Sequence, residues 1–331
     1  YGSRGKNGAI LIMTKKAKKE GLEVAVSLSS MVSAGFTVFP ETQNQYGSGS
    51  EGKYEFWDGA DGGISDGDMT WGPKFVPGLL VKQWNSPIRN KATGETIDWW
   101  GNVKGSVYDD RSLYERVPIA FEQHDNLKEF MRTGIITKAN FSVAHKGKSS
   151  NTFVSGNYAN QRGQVPNTSV NTGGITFNHD YDLSNNLKFT LNLSYNKVYS
   201  PNYPRYGYGP KNHMYTIMLW MSDDVDIREL KKHMYRPDKE GYVQANYNYA
   251  WYNNPYFMAY EFTQEHNRDV LNGQAKVIWD VTPEFSIQGR TSARSQTLFE
   301  DMNVPKSYMN YGDSRNGDYK DWNTRQLNVD A

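Results

Sequence analysis

The chain has 331 residues, 37 basic against 36 acidic side chains for a formal charge of +1, no cysteine, 14% aromatic residues and a mean hydropathy of −0.76. Near-neutral charge provides no basic field to gather phosphates, which argues against a dedicated nucleic-acid binder. No run approaches the roughly 18 apolar residues of a transmembrane helix; AILIM and IMLWM are the longest.

At the start, Arg4 and Asn7 precede a tight turn at Gly8, an apolar stretch Ala9–Met13, and then Thr14-Lys15-Lys16. The first long strand follows, where Leu22, Val24, Val26 and Leu28 alternate with Glu23, Ala25, Ser27 and Ser29. A period of two places the two sets on opposite faces of an extended chain. A long stretch from about 35 to 134 comes next and carries Tyr46, Trp57, Trp71, Trp84, Trp99 and Trp100. Within it, DGADGGISDGD holds four carboxylates between Asp58 and Asp68, without the spacing or closing Glu of a calcium hand. The expectation there is a solvated acidic loop, with an opportunistic calcium ion as the lesser reading.

Alternation resumes with Ala139, Phe141 and Val143 against Lys138, Asn140 and Ser142. In NTFVSGNYANQ, Val154, Gly156 and Tyr158 share a face that Phe153 does not join. Ile175, Phe177 and Tyr181 form the fourth apolar face, with His179 on it. The fifth is the clearest: Leu187, Phe189, Leu191, Leu193 and Tyr195 oppose Lys188, Thr190, Asn192, Ser194 and Asn196. After a second long stretch, about 200–266, Leu271, Ala275, Val277 and Trp279 oppose Asn272, Gln274 and Lys276. The seventh face is Phe285, Ile287, Gly289 and Ala293. Within the second stretch, Met214–His233 is expected to form a helix, with Asp223, Asp224 and Asp226 starting or capping it.

Three links are tight: Gly147-Lys148-Ser149, Ser184-Asn185-Asn186 and Thr282-Pro283. The others are longer, so short turns segregate to one end and long loops to the other. That is the pattern of a transmembrane β-barrel with periplasmic turns and extracellular loops. Tyr158, Tyr181, Tyr199, Trp279 and Phe285 are then expected in the aromatic girdle at the membrane interfaces. About seven strands do not close such a barrel, and open edges would leave backbone groups bare to lipid. The chain is therefore expected to be part of a longer polypeptide. A soluble β-rich carbohydrate-binding domain is the competing fold, and an outer-membrane barrel with loop-borne adhesive or enzymatic function is the competing activity.

YGSRGKNGAILIMTKKAKK resembles the end of the plug domain in the SusC/RagA family of TonB-dependent outer-membrane transporters. QNQYGSGSEGKYEF followed by TWGPK, NLKEFMRTGIITKANFSVAHK and NYANQRGQVPNTS resemble further segments of that family in its order. Lys6 stands where the family usually has a small residue, and Ala17 where Gly is common. The resemblance implies residues 1–20 as the end of the plug and 21–331 as the first part of a barrel of about 22 strands. It implies import of glycans or peptides, a SusD-like lipoprotein lid, and energy from the TonB–ExbB–ExbD complex, in the outer membrane of a Gram-negative cell with lipid around the wall.

Arg4, Asn7, Tyr46, Trp57, Trp71, Trp84, Trp220 and Trp251 are the candidate contacts for substrate or lid. Aromatic faces suit sugar C–H surfaces and peptide side chains. They equally suit packing within a folded loop or a lid interface, and packing and lid contact are the weightier readings. The six histidines show no HExxH or paired-ligand spacing, and no GxSxG, Walker or dinucleotide pattern stands between a strand and a helix. No cofactor, no bound metal and no catalytic activity are expected.

Overall fold

The computed structural model describes residues 17, 19–33, 38–55, 69–99, 103–204, 207–239, 241–249, 251–310 and 313–330. Eight long strands dominate it: β1 (Gly21–Val32), β2 (Ile135–Lys146), β3 (Ser150–Arg162), β4 (Ser169–Ser184), β5 (Leu187–Asn202), β6 (Thr263–Thr282), β7 (Phe285–Asn310) and β8 (Asp313–Asp330). They form one antiparallel sheet in which each strand pairs with its neighbours in sequence, and among the described residues no ladder joins β8 to β1.

The ladders show why this register is chosen. Directly opposed residues of antiparallel strands point to the same face. One row across all eight strands reads Val24, Val143, Val154, Phe177, Leu193, Gly273, Ala293 and Val329. The adjacent row, one residue along, reads Glu23, Ala144, Phe153, Asn178, Asn192, Gln274, Ser292 and Asp330. A slip of one residue in any ladder would move a whole strand's apolar set to the wet face. Phe153 and Ala144 are the apolar members of the second row, which accounts for the mixed pattern of β3.

Among the described residues the apolar face has no protein cover. Val26 is 78% and Leu28 76% exposed, and Ile175, Leu271, Ile287, Leu327 and Val329 are exposed with them. A contiguous apolar surface of this size is the mark of a face built for another apolar phase. His179, the polar intruder, is accommodated by a 2.9 Å hydrogen bond with Thr152 Oγ1 on β3 and by stacking between Phe177 and Tyr181. Over Gly156 lies the Phe141 ring, so close that a Cβ there would sit 2.2 Å from Phe141 Cε1; an aromatic ring takes the place of the missing side chain.

Connections segregate by end. Residues 147–149, Asn185-Asn186 and Pro283-Glu284 make tight turns at one end. The described parts of segments 33–134 and 203–262, and segment 163–168, lie at the other. The first long stretch holds two small sheets, Leu80–Val81 with Ile119–Ala120, and Ile88–Asn90 between Thr96–Ile97 and Tyr114–Arg116. It ends in the short helix α1 (Asn126–Phe130).

Two sequence expectations need correction. Among the described residues the long strands number eight, because β7 continues far past Arg294 and pairs with a further strand, β8. Nor is Met214–His233 one helix: α2 (His213–Tyr215) runs into a π-turn, Thr216–Trp220, the chain then extends at Met221, and α3 (Ile227–Lys232) starts afresh. Asp226 caps α3, accepting from the Arg228 N–H at 2.9 Å, whereas Asp224 is committed elsewhere. The last helix, α4 (Pro255–Glu261), has Asn254 as its cap.

Candidate functional site

At the loop end the two long stretches fold into one apolar cap. Its core joins Trp84, Leu127 and Phe130 from the first stretch to Ile217, Val225, Ile227, Leu230 and Tyr256 from the second. Phe130 meets Tyr256 edge-on at 5.1 Å. Beneath it, Asn202 at the end of β5 donates to the carbonyls of Asn167 and Ala259, which seats α4 on the β3–β4 connection.

Buried polar groups fasten the stretches together. The Asp224 carboxylate accepts from Ser48 N–H at 2.6 Å and Ser48 Oγ–H at 2.8 Å. Burial pushes its pKa above the usual carboxylate range, while the Ser48 donors oppose the shift. Nearby Tyr54 is half-buried with its hydroxyl enclosed, and burial followed by the Asp224 charge raises its pKa well above the usual phenol value. Asn126 donates to the Ser222 carbonyl and accepts from the Ile227 N–H. In the asparagine-rich segment 244–254, Asn246, Asn253 and Asn254 are buried because their amides satisfy backbone: Asn254 Nδ2 donates to the carbonyls of Leu230 and Ala245 while its Oδ1 receives the Tyr256 and Phe257 N–H groups. Gln244 and Asn253 tie this segment to Ser307 and Met309 of β7.

Between segment 39–44, the start of α1 and the π-turn lies a groove of about 800 Å3. Phe39, Met218 and Leu219 provide apolar wall, and Glu41, Asp125 and Asp223 are its ionisable groups. Burial pushes the Asp223 carboxyl up to about 6, against a hydrogen bond from Gln123 Nε2 at 3.2 Å. A second cleft, of about 960 Å3, lies on the polar face of the sheet and is lined by side chains of β4 to β8. At the turn end of that face, Ala17 and Asn151 exchange two 2.9 Å hydrogen bonds, so the chain reaches β1 from the polar side.

The sequence-predicted contacts scatter. Arg4, Asn7 and Trp57 lie outside the described residues, as do Trp100 and the Asp58–Asp68 acidic stretch. Trp84 is buried in the cap core, 6% exposed, where its role is packing. Trp220 stacks on Tyr252 at 5.7 Å, also as packing. Tyr46 is half-buried against Trp71, with ring centres 5.6 Å apart, and Trp71 and Trp251 are exposed. Neither groove is built from these tryptophans. Asp223, expected as a helix start or cap, lines the loop groove, and strand amides line the cleft; neutral amides carry no aromatic or catalytic-spacing signal. The alternation itself was the available signal: every second residue of a two-faced strand lines something.

A two-faced antiparallel sheet with tight turns at one end and a folded loop cap at the other is the architecture of a stretch of β-barrel wall. Among solved structures, the chain is similar to the RagAB peptide importer in its closed-closed state, with a TM-score of 0.57 at 15% identity, covering 99% of this chain and 34% of that one. It is also similar to the same importer in its open-open state, with a TM-score of 0.54 at 13% identity, covering 96% and 32%. The chain thus spans about a third of the length of those chains, and the likeness is one of fold. No protein-family model and no curated protein sequence matches it. Among the described residues no helix is long and apolar enough to cross a membrane, which leaves crossing by strands open.

Proposed function

We propose that the chain is part of the wall of an outer-membrane importer of nutrient oligomers, glycans or peptides, in a Gram-negative cell. The observation that carries this reading is the pair of rows across the sheet, one apolar throughout and uncovered among the described residues, the other polar apart from Ala144 and Phe153, with amides and a hydroxyl from β4 to β7. A face of Val, Leu, Ile and Phe needs acyl chains, and a face of Asn, Gln, Ser and Thr needs water or a polar cargo. Paired only within the sheet, β1 and β8 need further strands to satisfy their outer edges in lipid. A closed barrel of about 22 strands supplies them, and its lumen is wide enough to require a plug.

In this reading the hairpin turns face the periplasm and the cap faces outward. Residues 1–20 end the plug, and the Ala17–Asn151 pair supports an approach from the lumen. A SusD-like lipoprotein covers the cap, with exposed Trp71 and Trp251 on the loop surface available to it. TonB–ExbB–ExbD supplies the energy. The protein makes and breaks no covalent bond and uses no cofactor; its work is capture, gating and passage.

The test is uptake of labelled oligosaccharides and labelled peptides by cells that have or lack the protein, with and without a protonophore. The reading predicts accumulation of one cargo class that requires both the protein and the proton gradient. Accumulation indifferent to the protonophore contradicts energised import.

A further inference from the structure

On the polar face, β4, β5 and β6 bring short amide side chains side by side. Asn178 opposes Asn192, and Asn192 opposes Gln274, whose Oε1 accepts from Asn192 Nδ2 at 3.4 Å. One position along, Asn272 Nδ2 donates to Ser194 Oγ at 3.1 Å. These groups line the cleft of about 960 Å3, in which Arg294 and Asp330 are the charged residues. Asn178 breaks the pattern of satisfied pairs. It is only 7% exposed, and its Oδ1 has no hydrogen-bond partner among the described residues. A carbonyl oxygen enclosed without a donor is costly to leave that way and is accordingly rare, and this one lines an open cleft.

We infer that this cleft is a binding station for an uncharged, hydroxyl-dense chain of oligosaccharide chemistry, which donates an O–H to Asn178 Oδ1 and bridges the amides of Asn192, Gln274 and Asn272. The inference rests on the reading that the polar face lines a passage. A hydroxyl is donor and acceptor at once and rotates to suit, so adjacent hydroxyls match amides whichever way each is turned. An extended peptide instead presents one fixed donor and one fixed acceptor per residue, with side chains between them. Its apolar or charged side chains would find few partners here, because the strand side chains of the cleft are mainly short neutral amides and hydroxyls. Weak, multi-site hydrogen bonding of this kind holds a chain without trapping it.

The test is protection of a single thiol. The 331 residues contain no cysteine, so Ser194→Cys in the membrane-inserted protein places one in the cleft. Its rate of modification by a charged, water-soluble methanethiosulfonate is measured alone and with maltohexaose, hexaglycine or a polyethylene glycol of similar length. Maltohexaose is expected to slow modification at least threefold, with little effect from the other two probes. Adding Asn178→Leu, or Asn178→Thr if the leucine variant fails to insert, is expected to abolish the sugar's protection. Equal slowing by all three probes, protection by hexaglycine but not sugar, no protection by sugar, or protection that survives loss of Asn178 overturns the inference. A thiol that only a lipophilic maleimide reaches would instead overturn the passage reading beneath it.

Discussion

Ser48 and Asp224 lie 176 residues apart in sequence and meet in a buried pair of hydrogen bonds, 2.6 Å from the serine N–H and 2.8 Å from its hydroxyl. This contact makes one body of two loops that leave the sheet at different strands. Asp224→Ala strips the acceptor and leaves the Ser48 N–H enclosed. An unsatisfied buried donor costs about 1–3 kcal/mol, so hydrogen exchange around 47–49 and 222–225 should accelerate about 5- to 150-fold. Asp224→Asn keeps an acceptor and should have a smaller effect. Equal, negligible changes in both variants would remove the fastening role.

Asp223 makes the cap sensitive to pH. Its pKa is raised from 3.8 to about 6 in the folded cap, so between those values the closed cap holds more protons than the opened one. The contribution is complete below about pH 4 and is lost as pH rises through about 6, worth up to about 2–3 kcal/mol locally. Protection of segment 121–132, where the His124 N–H donates to the Asp223 carbonyl at 2.8 Å, should fall across that range. Asp223→Asn should flatten the dependence, as followed by exchange corrected for intrinsic rates.

Asn254 has 0% exposure and joins α3, α4 and segment 244–254 through its amide. Asn254→Ala loses both the cap and two carbonyl partners and should destabilise the loop cap by about 2–4 kcal/mol. Asn254→Asp retains an acceptor for α4 but sets a carboxylate against the Leu230 and Ala245 carbonyls. It should be no better tolerated than alanine, as judged by limited proteolysis of loop 203–262. Restoration of native resistance by aspartate would mean that the helix cap alone matters.

How far these features were legible in the sequence depends on how each face is solvated. From Leu187 to Asn196 β5 alternates because one face is apolar and the other wet, and its pairings from Phe189 to Tyr195 agree with that pattern except at His179, opposite Leu191. β8 was missed because its residues 318–325 carry Asp318, Lys320, Asp321 and Arg325, with Trp322 out of phase. Tyr319, Leu327 and Val329, opposite Asn303, Ser295 and Ala293, keep the apolar parity there, too few to make a pattern among the charges. The extension of β7 past Arg294 carries buried Val304 and Tyr308, packed against Phe257 and Phe262 of the cap rather than continuing the apolar sheet face. The cap core was hidden for another reason: Asn246, Asn248, Asn253 and Asn254 look like a wet loop, and only the fold shows amides turned inward onto backbone groups. The helix expected over Met214–His233 broke at Ser222–Asp226, where Asp224 is drawn to Ser48.

Substitutions by arginine on β5 should divide by parity. Leu191 shares its face with Ala275 and His179, Asn192 with Gln274 and Asn178. Leu191→Arg places a charge on the apolar face, at about 2–4 kcal/mol in mid-membrane, and should deplete folded protein in the membrane. Asn192→Arg should insert at near-native levels, seen as heat-modifiable mobility on a gel.

The central claim, that one face of this sheet meets lipid and the other water, is tested most directly by single cysteines from Leu187 to Asn196 in the membrane-inserted protein. Each is exposed in parallel to a lipophilic maleimide and to a charged, water-soluble methanethiosulfonate. The account predicts strict alternation, with Leu191→Cys taken by the lipophilic reagent and Asn192→Cys by the charged one. Reactivity that ignores parity, or charged-reagent access on both faces, would contradict it.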